Sequence, residues 1–212
     1  MSRVLCTAAL ASGTLLIAAA SANAGLTVSQ TTAAAPTYGT ILNFDAPGEP
    51  TGQLPPNTWV PTYGVSIQGG ADNPFVGDFT GTLGPWAGNG NAIAAAWGLI
   101  YNWNTDLTEL SFQAWDDSGP PTLFGGGVGV FVFKDGVALS EALYTPAWGG
   151  VGKSWFNITT TDGSTFDEVR VMGFGNFGPT TVMDNLSWNA VPTPGALALL
   201  GLGLAARSRR RA

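Results

Sequence analysis

The stretch LTELSFQAW, residues 107–115, alternates between two sets of side chains along its whole length. On an extended chain, one face would carry every second residue, namely Leu107, Glu109, Ser111, Gln113 and Trp115. Strict alternation of this kind is typical of a β-strand. No long stretch of the chain shows the sustained 3.6-residue period of an amphipathic helix. The sequence therefore predicts an all-β fold.

Further strands are predicted on both sides of this stretch. VGVFVFKDGVALSEALY (128–144) contains the turn signal Asp135-Gly136 and predicts a β-hairpin. The other predicted strands are TILNFD (40–45), GVSIQG (64–69), SWFNITTT (154–161), EVRVMGF (168–174) and TVMDNLSW (181–188). We interpret the helical-looking NAIAAAWGLIYNW (91–103) as a strand pair or as a strand with a short helical turn. Short strands separated by Gly, Pro and Asn favour a single β-sandwich domain over a β-α-β fold.

The sequence divides into four segments. Residues 1–24 combine Arg3, an apolar run and the cleavage-site pattern Ala22-Asn23-Ala24, and they predict a signal peptide. Residues 25–39 are predicted to be a leader, loose over its Thr/Ala/Ser/Gln-rich part (26–36). The β-sandwich domain is expected over 40–190, with a turn-dominated loop at 46–61 that holds five prolines. Residues 191–212 form a distinct C-terminal segment.

Cysteine content and charge narrow the class of protein. The single cysteine, Cys6, lies within the predicted signal peptide, so the mature chain would have none. Export without cysteines fits a bacterial envelope protein better than a small disulfide-stapled module. Between the two terminal segments, three basic residues and all fourteen acids give a net charge of −11. This charge disfavours binding to nucleic acid or anionic lipid and makes cations such as Ca²⁺ plausible partners.

The chain ends VPTPGALALLGLGLAARSRRRA (191–212), in which a short apolar run precedes four arginines. Residues 195–206 are uncharged, and as a helix they would span roughly 18 Å against a hydrocarbon core of about 30 Å. A permanent anchor would need a longer run. The segment instead suits a transient membrane intermediate, with its arginines held on the cytoplasmic side.

This ending resembles the PEP-CTERM sorting signal, in its V-P-x-P-G form, of Gram-negative bacteria that make exopolysaccharide. The resemblance implies processing by an exosortase during transient contact with the inner membrane, followed by release or attachment at the cell surface. Thr193 stands where the family usually has glutamate. The resemblance implies a recognition motif, a membrane helix over 196–206 and a cationic stop, and it assigns the motif and the stop to Val191, Pro192, Pro194, Gly195, Arg207, Arg209, Arg210 and Arg211.

A second resemblance covers the domain itself. NFD (43–45), YGVSI (63–67), DEVRVMGFG (167–175) and VMDNLSW (182–188), in this order, resemble the jelly-roll, carbohydrate-binding-like domains that often precede this sorting signal. The resemblance implies a jelly-roll β-sandwich. It also implies that acids of the first and last strands meet at one edge.

That expectation brings Asp45 beside Asp184, with Asn43 or Asn185 nearby, as oxygen ligands of a structural Ca²⁺. The alternative is that Asp45 begins a turn and Asp184 caps an exposed strand end.

Most catalytic arrangements are excluded by composition. The chain has no histidine and no cysteine outside the signal peptide, so Ser-His-Asp, Cys-His, HExxH and thiol-redox sites cannot form. The adjacent acids Asp116-Asp117 and Asp167-Glu168 leave a glycosidase open, although neighbours on a strand point to opposite faces. We therefore expect no enzymatic activity.

Eight tryptophans are numerous for a chain of 212 residues. Those predicted in loops, Trp59, Trp86 and Trp148, are candidates for a glycan platform, whereas strand tryptophans are expected to fill the core. The sequence thus predicts an exported, non-enzymatic protein of the cell surface or extracellular matrix that binds extracellular polysaccharide weakly. The alternatives are a secreted carbohydrate-active enzyme that uses two acids and a purely structural matrix or adhesion protein.

Overall fold

The computed structural model describes residues 25–31, 34–80, 90–116, 127–144, 154–173 and 180–191. These residues form one large antiparallel sheet and a single short helix, α1 (Val60–Tyr63), which confirms the prediction of a β-rich fold. The strands are β1 (Leu26–Thr31), β2 (Thr40–Leu42), β3 (Gly52–Gln53), β4 (Val65–Gly69), β5 (Phe75–Asp78), β6 (Asn91–Ala96), β7 (Leu99–Asp116), β8 (Val128–Lys134), β9 (Val137–Tyr144), β10 (Ser154–Thr160), β11 (Phe166–Gly173) and β12 (Thr180–Ala190).

Most of the two terminal segments predicted from the sequence lies outside the described residues. The predicted signal peptide (1–24) and residues 192–212 of the C-terminal segment do not belong to the described residues. In the part of the chain that is described, no helix is long and apolar enough to cross a membrane.

Strand β7 is the centre of the sheet. Its first part, residues 99–103, pairs with β4 on one side and β11 on the other. Its second part pairs with β12 from residue 107 onward and with β10 over residues 109–114, and Leu107 still pairs with Phe166 of β11. The main path of the sheet runs β3-β5-β6-β12-β7-β11-β8-β9, with β1 attached to β10 and β2 attached to β12. One long strand therefore joins two sets of partners.

The stretch 107–115 is a strand, as predicted, but its alternation is interrupted once. Asn189 of β12 pairs with Glu109, whereas the next residue, Ala190, pairs with Leu107, so Thr108 is an extra residue in the ladder. A β-bulge of this kind moves the residues beyond it to the other face. Leu107 therefore joins the main core with Leu110, although the simple alternation assigned it to the opposite face.

Two further predictions about strands are confirmed. Residues 128–144 form the β8–β9 hairpin, and its turn is Asp135-Gly136, both at positive φ. Residues 91–103 form two successive strands, β6 and the beginning of β7, which are connected through Trp97 and Gly98 and lie on either side of β12.

The loose leader predicted before residue 40 is wrong for the segment Leu26–Thr31. This segment is strand β1 and pairs along its whole length with β10, from Leu26↔Thr160 to Thr31↔Trp155. Leu26 and Val28 pack against the core, which stabilises the added strand. The polar residues Thr27, Ser29 and Thr31 are exposed, so the composition of the segment resembled that of a linker.

The end of the predicted leader also packs on the sheet. Ser111 and Ser187 are buried on neighbouring strands, with their hydroxyl oxygens 2.9 Å apart. The Ser111 hydroxyl donates to the carbonyl of Pro36 at 2.6 Å, and the backbone N–H of Tyr38 donates to the Ser187 hydroxyl at 3.0 Å. Residues 36–38 thus satisfy polar groups that would otherwise be buried without partners.

Candidate functional site

The residues predicted to hold calcium lie at a junction of three strands. Residues 180–183 of β12 pair with β6, and residues 186–188 pair with β2. Asp184 and Asn185 are at the break between these two pairings, where Asn185 has φ +53°. Asp45 lies three residues beyond the end of β2 and contacts the first residue of β6, since its Oδ1 accepts from the backbone N–H of Asn91 at 2.5 Å. The structure therefore brings the predicted residues to one region of the sheet.

The carboxylates of Asp45 and Asp184 both accept hydrogen bonds from amide N–H groups at this junction. The oxygens of Asp184 accept from the backbone N–H and the Nδ2 of Asn185 at 2.7 and 2.9 Å. The same Nδ2 donates to Gln113 Oε1 at 2.6 Å, and Asn43 Oδ1 accepts from the backbone N–H of Asp45 at 2.8 Å. Over the described ranges, no group of three or more acidic, histidine or cysteine side chains could hold a metal ion.

The glycan-platform role predicted for Trp59 is wrong. Trp59 is only 2% exposed and belongs to the main core, where its ring meets the Phe44 ring edge-on at 5.7 Å. Its Nε1 donates to Glu49 Oε2 at 2.9 Å, and Tyr63 Oη donates to the other carboxylate oxygen at 2.8 Å. The proline-rich loop folds back over Trp59, so its sequence position did not predict exposure. Trp86 and Trp148 lie outside the described residues.

The most exposed tryptophan of the described chain is one that the sequence assigned to a strand. Trp97 is 60% exposed and stands in the connection between β6 and β7. It borders a surface groove of about 250 Å³. The groove is formed mainly by Trp97, Ile100, Phe131, Phe133, Arg170 and Met172.

Arg170 supplies most of the polarity of this groove. Its guanidinium carbon lies 4.2 Å from the centre of the Phe133 ring, which is a cation–π arrangement. Its Nε donates to Glu168 Oε1, and this ion pair balances the positive charge. Among the described residues, no carboxylate lines the groove itself. The groove can therefore stack and donate hydrogen bonds, and it offers no pair of acids for hydrolysis.

Sequence reasoning missed Trp97 because residues 91–103 were interpreted as strands without locating the turn between them. A signal was available in the Trp97-Gly98 pair, since glycine after a run of small residues marks a turn. A tryptophan within a strand can be buried on the core face of the sheet, whereas a tryptophan in such a turn cannot.

The acidic pair Asp167-Glu168, which was considered for catalysis, forms ion pairs with basic side chains. Asp167 accepts from Lys134 Nζ at 3.0 Å, whereas Glu168 pairs with Arg170, so the two neighbours bind separate cations. Lys134 also lies 3.0 Å from Asp106 and 3.0 Å from Asp135, and its hydrogen bond to Asp167 chiefly raises the pKa of its ammonium group. The Asp116 side chain and Asp117 lie outside the described part.

No protein-family model and no curated protein matches the chain. The C-terminal segment and the surface around Trp97 are the features of the chain that bear on its function.

Proposed function

We propose that the chain is an exported, non-enzymatic protein that is sorted to the cell surface or extracellular matrix of a Gram-negative bacterium through its C-terminal segment. The observation that carries the proposal is the order of three elements in residues 191–212: V-P-x-P-G, a short apolar run and a cluster of arginines. An enzyme of the exosortase type is the proposed partner in processing.

The structure supports a boundary in front of these elements. Strand β12 ends at Ala190, and the backbone N–H of Val191 donates to the carbonyl of Asp106 at 2.8 Å. Pro192 and Pro194 have no N–H groups with which to extend a β-ladder. The folded sheet can therefore be complete at the residue where the proposed sorting motif begins.

We propose a jelly-roll β-sandwich as the architecture of the domain. Support comes from β7, which changes partners along its length, and from aromatic contacts between residues that are not paired in the sheet. The ring centroid of Trp188, which pairs with Leu110 of β7, lies 5.8 Å from that of Trp103 in the first part of β7 and 6.3 Å from that of Tyr63 in α1. Such contacts are expected of a sheet that folds over its own core, and they support the proposed architecture.

A structural Ca²⁺ ion at Asp45 and Asp184 is part of the proposal. Its support is the position of both residues at the β2–β12–β6 junction. If calcium binds there, adding it to chelator-treated protein raises the melting temperature, and Asp184→Asn abolishes that rise. A melting temperature that calcium leaves unchanged in the wild-type chain would remove the ion from the account.

The sorting role is tested with variants of the motif in the producing bacterium. Replacing Pro192 and Pro194 with Ala removes the proposed recognition element and leaves the described sheet intact. We expect this variant to accumulate unprocessed in the inner-membrane fraction while the wild-type chain reaches the surface or medium. Thr193→Glu, which restores the family's usual residue, is the matched control and should be processed at least as well. Unchanged surface delivery of the double variant would refute the proposal.

The two alternative functions give different results with purified protein. Release of soluble sugars from a polysaccharide, lost when acidic residues are replaced, would indicate an enzyme. Self-association without affinity for any polysaccharide would indicate a purely structural matrix protein. Binding without product release is the outcome that our proposal predicts.

A further inference from the structure

We propose that the groove around Trp97 is a polysaccharide-binding subsite that takes one neutral pyranose ring, stacked by its apolar face on the indole. The inference rests on the proposed extracellular role and adds to it a location and a ligand class. Three features of the groove carry it: the backbone conformation of Trp97, the packing that fixes its position and the charge of its surroundings.

The backbone conformation of Trp97 is unusual for its residue type. Four non-glycine residues of the described chain have positive φ, namely Trp97 at +62°, Asp135 at +50°, Asp162 at +57° and Asn185 at +53°. Asp and Asn are the residues that tolerate this region, whereas a bulky side chain raises the energy of the conformation. The indole also remains 60% exposed, so burial compensates only in part. Folding alone favours a smaller, polar residue at this position. A bulky, exposed side chain in such a conformation is expected where binding determines the residue.

Close packing holds the backbone of Trp97 in place. The N–H of Gly70 donates to the carbonyl of Gly98 at 3.0 Å. A Cβ on Gly70 would come within 2.2 Å of the Trp97 carbonyl oxygen, and one on Gly98 within 2.7 Å of the Val171 carbonyl oxygen. The chain thus passes between β4 and β11 with no space for a side chain on either glycine. An aromatic ring carried by a fixed backbone is a suitable platform, because no backbone entropy is lost when a ligand stacks on it.

The rest of the groove complements a sugar ring. Ile100, Phe131 and Met172 provide apolar surface, and Arg170 lies over Phe133. A guanidinium has five N–H donors, and Glu168 uses the one on Nε. The remaining donors suit the hydroxyl groups at the edge of a pyranose. The volume of about 250 Å³ is smaller than the roughly 300–1,000 Å³ of sites for drug-sized ligands, which fits one ring of a longer chain.

Charge favours a neutral polysaccharide over an acidic one. Glu168 balances Arg170, and the chain between the two terminal segments carries a net charge of −11. A polyuronate would be repelled by this surface at low salt. A neutral glycan meets no such barrier.

The test compares two exposed aromatic residues by affinity electrophoresis of the full chain. The probes are hydroxyethylcellulose, xylan and galactomannan as neutral polysaccharides and polygalacturonate as the acidic one. Trp97→Asn removes the ring at a position whose backbone conformation Asn tolerates. Phe75→Ala is the matched control, because Phe75 is 48% exposed and lies outside the groove. Trp97→Phe keeps a smaller ring and provides a second variant.

We expect at least one neutral polysaccharide to retard the wild-type chain and Trp97→Asn to bind it about tenfold more weakly. Trp97→Phe should fall between the two, and Phe75→Ala should bind like the wild type. Undiminished binding by Trp97→Asn would overturn the site, as would a loss confined to Phe75→Ala. A preference for polygalacturonate would overturn the ligand class. Failure of the wild-type chain to bind any probe would refute glycan binding, whereas the sorting role is decided separately by the proline variants.

Discussion

Replacing Trp97 with Asn and with Ala separates the energy of its backbone from that of its ring. At φ +62°, an ordinary L-residue costs about 1–2 kcal/mol, most of which Asn avoids. Full burial of a large apolar side chain contributes roughly 1.5–3 kcal/mol. Because Trp97 is 60% exposed, its buried part contributes about 1 kcal/mol. Both variants lose the ring, and only Ala keeps the backbone cost. Trp97→Asn should therefore be nearly as stable as the wild type and about 1 kcal/mol more stable than Trp97→Ala.

Urea and thermal unfolding measure this difference. About 1 kcal/mol corresponds to roughly 2–4 °C in melting temperature for a domain of this size. The matched control is the same pair of substitutions at Phe75, a strand residue without positive φ, where Asn should bring no advantage over Ala. Equal stability of Trp97→Asn and Trp97→Ala would show that the backbone is not strained there, and the argument that binding determines this residue would lose its basis.

Three further predictions concern the core and its titration. Phe112→Ala should lower the free energy of unfolding by about 3–5 kcal/mol in urea, because Phe112 is fully buried and its ring stacks on that of Phe156 at 5.3 Å; a loss no larger than that of Phe112→Leu would contradict this packing. Ser187→Ala should cost about 1–3 kcal/mol and speed hydrogen exchange at the Tyr38 amide, which donates to the Ser187 hydroxyl; unchanged exchange would rule out that contact. Burial raises the pKa of Tyr101 in the folded state, so its contribution to stability is present below the unfolded value of about 10 and is lost as pH rises above it. Tyr101→Phe should therefore lose less stability than the wild type between about pH 9 and pH 11, and identical slopes would contradict the burial of that hydroxyl.

Local patterns predicted the strands well because alternation depends on one strand and its two faces. The stretch 107–115 and the hairpin at Asp135-Gly136 are examples, since each signal lies within a few residues. The bulge at Thr108 could not be predicted in this way. It is defined by the register with β12, whose residues are some 80 positions away along the chain.

The errors came from residues whose surroundings are supplied by distant segments. Leu26–Thr31 looked like a linker because its apolar residues are few, yet β10 supplies an edge to which it can pair. Trp59 looked exposed within a proline-rich loop, yet Glu49 and Phe44 enclose it. Trp97 was assigned to a strand, and the structure exposes it at a turn. The candidate groove could not be inferred from the sequence, since β7, β8 and β11 meet there only in the folded sheet.

Intact-mass analysis of the chain recovered from the surface and medium of the producing cells tests the central claim most directly. The account predicts a mature form that begins at Gly25 and ends near Pro194, without the apolar run and the arginines. A full-length chain recovered from the cytosol, with residues 1–24 and 195–212 still attached, would contradict it.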